Sequence, residues 1–363
     1  MNFSLTANIK GIKYKPFLTR KLNEYSFENF ELSFKDSSFI IKINDENKIA
    51  LSWWVSPKRT RSYPYARVYD TLNFSGKKVT IIPIIKDEGQ EGDRDFLQWD
   101  TISLMSLLGI YVIIGYYNSA SKRDRYKNKI TEQKFDIDFL KNQLLMLINY
   151  QSDALHWNLS QIDNIANIAK ISIENYQKFS KSLNVKFHSF DSALKRIEIL
   201  KKGKEKFMNF SRSLAEKAQQ REFITIQPKE NLIGKKAILT IKNYLGGNYY
   251  FTCDEVYFEN IDNKKNNFNG SNLVIVEGKH SKEKNLPSLE DIKDGLLKMI
   301  LFTNLENLTL NNVSFKHISL LKLTTNKKFN INLMNNSQKE ILTLLKEESN
   351  YNNFKVKINN IFL

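Results

Sequence analysis

The sequence predicts a mixed α/β (α+β) protein with a β-rich region over residues 1–130, a helical middle segment over 131–205 and a further strand-and-helix region over 206–363. Three observations predict it. Apolar, β-branched runs bounded by polar turns dominate the first third. Apolar residues recur at three- and four-residue spacing from Asp136 onward. Long apolar runs then return beyond Tyr249, followed by a helix start at Ser288.

Taken in order, Phe39–Ile43 and Ile49–Trp54 flank the polar turn Asn44–Lys48 and read as a hairpin. Val79–Ile85 reads as a strand, Asp87–Asp95 as an acidic loop, Trp99–Leu108 as a helix and Ile110–Tyr117 as a strand. Ile137, Leu140, Leu144, Leu147 and Ile148 then give a helical stripe, as do Ile162, Ile165, Ile168, Ala169 and Ile173. A basic helical stretch runs from Ser189 to Gln220, and Leu232–Leu245 fits either helix or strand. Ser288 is a cap with acids following in the first turn, and Leu289, Ile292, Leu296 and Ile300 form that helix's apolar face. Strands near Leu308–Leu310 and Ile318–Leu323 precede a last helix opening with the capping-box pattern Ser337-Gln338-Lys339-Glu340.

At 363 residues and 41% hydrophobic content, the chain can build proper cores for two domains or one elaborated domain. Its 55 Lys and Arg against 39 Asp and Glu leave a formal charge of +16, which favours a polyanionic partner such as nucleic acid. The single cysteine, Cys253, excludes an intramolecular disulfide framework and a cysteine-rich zinc site. The N-terminus lacks a signal-peptide core, and the apolar run Ile102–Tyr117 is shorter than the ~18–20 residues that a spanning helix needs. A cytoplasmic location is therefore expected.

Residues 249–280 concentrate the chemistry. The run Tyr249–Phe258 carries the acidic pair Asp254-Glu255, and Asn272–Val276 leads straight into Glu277-Gly278-Lys279-His280. Side chains two apart on a strand share a face, so Glu277 and Lys279 emerge together, and a neighbouring strand can bring Asp254 to them. Two carboxylates and a lysine suit a divalent metal beside a phosphate. Acid-x-Lys triplets also occur at Glu46-Asn47-Lys48, Glu132-Gln133-Lys134, Asp262-Asn263-Lys264 and Asp291-Ile292-Lys293. Those sit in polar or turn-like surroundings or within the expected helix, whereas Glu277 follows an apolar run with an acid-bearing strand upstream. A solvated ion pair at the end of an edge strand is the plain alternative.

Asp254, Glu277 and Lys279, in a strand-strand-helix succession, resemble the PD-(D/E)XK nuclease superfamily and its type II restriction endonucleases in particular. The resemblance covers roughly Arg221–Leu301, with Cys253 standing where the family commonly has proline. It implies a restriction-endonuclease-like mixed sheet flanked by helices in the C-terminal half. It also implies a Mg2+ ion held by Asp254, Glu277 and the carbonyl of Gly278, with Lys279 beside the attacking water. The implied activity is sequence-specific cleavage of double-stranded DNA. A homodimer on DNA and a cognate DNA methyltransferase, as a genetic partner, follow from the same resemblance.

Glu255 competes with Asp254 for the first acidic position, and Glu216 or Glu222 is a further candidate acid on the preceding helix. His280 is placed to touch a phosphate, while His156, His188 and His317 are scattered. Lys58, Arg59, Arg61 and Arg67, interleaved with aromatics and prolines between Trp53 and Arg67, are candidate DNA contacts; a charged solvent loop fits equally. Asp93 and Asp95 offer a metal alternative without a lysine-bearing strand behind them. A repair or structure-specific nuclease on the same core, and a catalytically silent DNA-binding protein, both stay open.

Overall fold

A computed structural model describes residues 3–201, 235–243, 248–259, 272–327 and 329–363, with positions 209, 213, 217 and 220. The chain is mixed α/β and forms two compact units, one made of Lys21–Ser213 and one of Met1–Arg20 with Leu214–Leu363. The chain thus starts in the second unit, with β1 (Phe3–Ile9), and leaves it to build the first.

In the Lys21–Ser213 unit the strands are β2 (Glu24–Ser26), β3 (Ser38–Lys42), β4 (Lys48–Trp53), β5 (Lys77–Pro83), β6 (Ile85–Asp87), β7 (Arg94–Phe96), β8 (Tyr111–Gly115), β9 (Tyr117–Lys122) and β10 (Ile130–Phe135). Five of them form one sheet in the order β2-β3-β4-β5-β8, and β6-β7 and β9-β10 are separate pairs. The expected hairpin is the antiparallel pair β3/β4. The single strands expected over Val79–Ile85 and Ile110–Tyr117 are each broken in two. Pro83, which has no N–H to give a ladder, ends β5. Gly115 ends β8 where a Cβ would sit 3.1 Å from the Phe135 ring.

Helices Ile137–Ile148, Ala154–Asp163, Ile165–Ser182 and Phe190–Lys201 belong to this same unit, so the expected boundary at residue 130 falls inside it. One reason is Asn158, fully buried, whose amide accepts from Val112 N–H and donates to the Ile110 carbonyl on the β8 side. Trp157 adds an indole N–H to the Val112 carbonyl. Asp136 and Asp153 cap their helices as short polar N-caps do. The apolar stripe running from Ile162 to Ile173 crosses a helix junction at Asn164, which periodicity alone does not register.

The second unit is built on one sheet. It continues from β1 with β11 (Lys235–Asn243), β12 (Asn248–Glu259), β13 (Asn272–Ser281), β14 (Glu306–Leu310), β15 (Val313–Ser314), β16 (His317–Thr325), β17 (Lys355–Ile358) and β18 (Ile361–Phe362). The order is β15-β14-β1-β11-β12-β13-β16-β17-β18. β11, β12 and β13 form an antiparallel meander, and β16 lies parallel to β13. The helix Leu289–Phe302 follows β13 and packs on β13 and β16 through the buried Ile292, Leu296 and Ile300. β11 resolves the ambiguous segment as strand; Glu216, Glu222 and Asp262-Asn263-Lys264 lie outside the described residues, as does most of the basic stretch beyond Lys201.

A last helix, Asn336–Tyr351, connects β16 to β17. Its capping box is formed by Asn335 with Gln338, two residues before the pattern beginning at Ser337. Near its end, Glu348 is fully buried and accepts from the Tyr14 hydroxyl at 2.6 Å and from the backbone N–H groups of Phe17 and Leu18. The carboxylate thereby ties the segment after β1 to the helix. Glu348→Ala would strand those donors, so a loss of about 3 kcal/mol is expected in denaturant unfolding, with Glu348→Gln closer to wild type.

Candidate active site

The site is assembled by a strand irregularity. The β11/β12 register passes from Lys235 opposite Val256 to Ala237 opposite Cys253, so Asp254 and Glu255 together face the single residue Lys236. Such a bulge re-aims side chains. On the other side of β12, Glu255 pairs with Val276, and extending that register by one sets Asp254 opposite Glu277. Asp254 then accepts the Gly278 backbone N–H at 2.7 Å. The first acid is thus bonded to the residue between the second acid and the lysine.

Alternation sorts β13 into two faces. Glu277 and Lys279 point to one, and Gly278 and His280 to the other. Gly278 lies opposite Lys322 in the parallel pair with β16. On that second face Glu255, almost wholly buried, pairs with Lys322 at 2.6 Å. Glu255 is therefore committed to Lys322 on the face away from Glu277, whereas Asp254 is bonded to the backbone next to Glu277. His280 bonds Thr324 through Nδ1 and leaves the Glu277 face, because one residue along a strand reverses the side chain.

The helix Leu289–Phe302 covers the Glu277 face. Ser288 caps it by accepting from Asp291 N–H. Gly295 permits the close approach: a Cβ there would stand 2.8 Å from Leu321 Cδ1 and 3.4 Å from Lys279 Cε. Flanking that contact, Asp294 and Lys298 lie four apart and share a helix face. Asp294 receives Lys279 Nζ at 2.6 Å, Lys279 also reaches Glu277 Oε1 at 3.2 Å, and Lys298 reaches Glu277 Oε2 at 2.7 Å. The result is a chain of alternating charge, Asp294–Lys279–Glu277–Lys298, on the protein's own elements.

Glu277 is 1% exposed. Burial pushes its carboxyl up, but Lys298 first and Lys279 second outweigh burial, leaving it below the usual carboxylate range. Lys279 shows the mirror balance. Burial disfavours its charge, yet Glu277 and Asp294 hold the ammonium well above its ordinary value. Cys253, next to Asp254, is a buried thiol pushed up by desolvation and is not a nucleophile at neutral pH.

Asp294 and Lys298 are absent from the sequence reading, which used this helix only for its apolar face. The signal available was their four-residue spacing astride a glycine on the helix that follows the acid-x-Lys strand.

The basic candidates, with His156 and His188, lie in the Lys21–Ser213 unit, and His317 lies in the other. Arg61 is held by Glu88 at 2.8 Å, Asp95 at 3.1 Å and Asp93. Its guanidinium thereby also neutralises the alternative metal acids. Arg67 donates to the Trp53 and Ser62 carbonyls and stacks over the Trp53 ring. Lys58 is exposed and Arg59 half-buried. His156 and His188 each pair with an aspartate, Asp153 and Asp87, and His317 bonds the Phe302 carbonyl.

Among the described residues, no group of three or more His, Cys, Asp or Glu is placed to hold a metal, and no helix is long and apolar enough to cross a membrane. Magnesium commonly takes only one or two protein carboxylates and completes its shell with water and phosphate. Asp254, bonded to the Gly278 N–H, and Glu277, the residue before Gly278, are carboxylates on adjacent strands and fit that donor chemistry. Compared with known protein families, characterised proteins and solved structures, the chain matches none.

The depressed Glu277 carboxyl has a sign. Its ion pairs contribute stability fully above the ordinary carboxylate value and lose it as pH falls through the lower folded-state value. Carboxyl-carbon NMR should find Glu277 titrating below an ordinary glutamate, with its midpoint rising in Lys298→Met. An unmoved midpoint would mean that Lys298 is not the main cation on this group.

Proposed function

We propose that this protein is a Mg2+-dependent, sequence-specific double-stranded DNA endonuclease of the PD-(D/E)XK kind, similar to type II restriction enzymes. The observation that carries the reading is the convergence of Asp254, Glu277 and Lys279 at the β12/β13 pair, with Asp254 bonded to Gly278 and Lys279 in contact with Glu277. The antiparallel strands β12 and β13 and the helix that follows them support it, because the resemblance implies a strand-strand-helix succession. The +16 charge supports a polyanionic substrate.

Asp254 and Glu277 would hold the metal, with the Gly278 carbonyl as a further ligand implied by the resemblance. A magnesium ion held there would supply a bound water of lowered pKa and positive charge beside the phosphate oxygens. Lys279 has a narrower role than general base. Its neighbours keep it protonated, so it does not take the proton of the attacking water; it orients that water and stabilises the extra negative charge at phosphorus. Water adds to phosphorus, the sugar oxygen leaves with a proton, and solvent receives the proton lost by the water. Cutting both strands takes two such sites, which supports a homodimer on DNA.

A catalytically silent DNA-binding protein is the competing reading, and the lysines on both Glu277 oxygens are the observation that favours it. Incubating purified protein with supercoiled plasmid and Mg2+ separates the readings. Discrete fragments that vanish with chelator are expected. Asp254→Ala, Glu277→Ala and Lys279→Ala should each lower the cleavage rate by at least about 10²-fold while DNA binding survives. Full activity in Glu277→Ala would overturn the assignment, and binding without cleavage by wild type would select the silent reading. Nicking confined to branched or damaged DNA would select a repair nuclease.

A further inference from the structure

Glu277 has a cation on each oxygen, and the shorter contact is made by Lys298, which reaches across from the helix rather than along the strand. A buried carboxylate needs a compensating charge. Lys279 supplies one, but Asp294 also claims Lys279 at 2.6 Å. Lys298 makes the four-membered chain Asp294–Lys279–Glu277–Lys298 neutral, two carboxylates against two ammonium groups.

That balance has a consequence if the site takes a divalent ion and a phosphodiester. A divalent ion on Glu277 would take over the compensation of that carboxylate, and the phosphodiester would bring a new negative charge beside it. Lys298, displaced from Glu277, is then the cation placed to meet the phosphate. Its side chain is 14% exposed, so its ammonium lies at the sheet face rather than in bulk water. A flexible four-carbon stem can carry that charge a few ångströms without moving the helix.

We propose that Lys298 is a phosphate-binding residue of this site. In the metal-free protein it rests on Glu277 Oε2, and on metal loading it yields that oxygen and pairs with a non-bridging oxygen of the DNA phosphodiester. Lys279, clamped by Asp294, is the fixed cation of the site, and Lys298 is the exchangeable one. The inference rests on the nuclease reading and adds a residue that the acid-x-Lys pattern does not contain.

The role has opposite consequences for the two ligands, which separates it from a merely structural one. In Lys298→Met, which keeps the length and packing of the stem, Glu277 loses a competing cation. Mn2+ should therefore bind the DNA-free protein more tightly, by several-fold, in a spin-resonance titration of free Mn2+. Binding of linear duplex DNA in Ca2+, under conditions where no product forms, should weaken by about tenfold, the size of one charge-assisted contact. The slope of log affinity against log salt should become shallower by about 0.9, the mark of one lost phosphate contact. Lys298→Arg should restore most of the DNA affinity.

Unchanged DNA affinity and salt slope in Lys298→Met would overturn the proposal. Parallel weakening of Mn2+ and DNA would also overturn it, by assigning Lys298 to the fold alone. Wild type that binds no Mn2+ would remove the nuclease reading and this inference together. Wild type that binds Mn2+ and cleaves, beside an indistinguishable Lys298→Met, would remove the inference only.

Discussion

Ionising a carboxylate inside a sheet-helix interface is costly unless cations meet it, and the C-terminal unit is organised around meeting Glu277. The lysine on its own strand supplies one partner and the covering helix supplies the other. For the second contact, the helix must lie close enough for Lys298 to reach Oε2 and for Asp294 to reach Lys279. Gly295 makes that approach possible, since a side chain there would press on Leu321 and the Lys279 stem. Charge pairing and close packing are therefore one constraint. Loosening the helix would leave a buried anion under-compensated.

The same strands carry a second buried pair on their other face, Glu255 with Lys322. The acidic dipeptide Asp254-Glu255 is divided between the two environments, Glu255 paired with Lys322 and Asp254 bonded to the Gly278 N–H. The bulge against Lys236 belongs to this division, because it breaks the regular pairing of β11 with β12 at those two residues. Glu255–Lys322 joins β12 to β16 across β13 and holds the register in which Asp254 meets Glu277. A slip of β12 by one residue would turn its side chains to the opposite face, placing Asp254 where Glu255 now sits. The Glu255 pair therefore serves as a register lock, and the Glu277 face is left to the site we propose.

Much of this was legible in the sequence. Glu277 and Lys279 share a face because strand side chains alternate, and the Ser288 cap with its apolar stripe announces the covering helix. What escaped depends on distance in the chain. Asp294 and Lys298 read as polar residues of an amphipathic helix until that helix is laid on β13, and nothing local says which strand it will cover. β1 escaped for a like reason: its partners, β11 and β14, lie more than two hundred residues away. The capping box at Asn335 was displaced by two positions because Asn caps as well as Ser, and Gln at the third position completes the pair. Periodicity joined the helices on either side of Asn164 since both present apolar residues in phase across the junction.

Arg61 and Arg67 bear on how far composition speaks about function. Both sit in the basic, aromatic-rich segment that a nucleic-acid reading singles out, yet each is engaged within its own unit. Arg61 pairs with three carboxylates of the β6-β7 hairpin region, and Arg67 is spread over the Trp53 ring while it donates to two carbonyls. An arginine committed in this way contributes to net charge without offering its fork to a phosphate. On the function we propose, substrate attraction would rest on the general field of an excess of cations, and phosphate positioning would fall to lysines whose partners can be exchanged. At the Glu277 site, such exchange follows from Lys298 resting on a carboxylate, a group that also suits a metal. An incoming divalent ion would release the very cation that the accompanying phosphate requires.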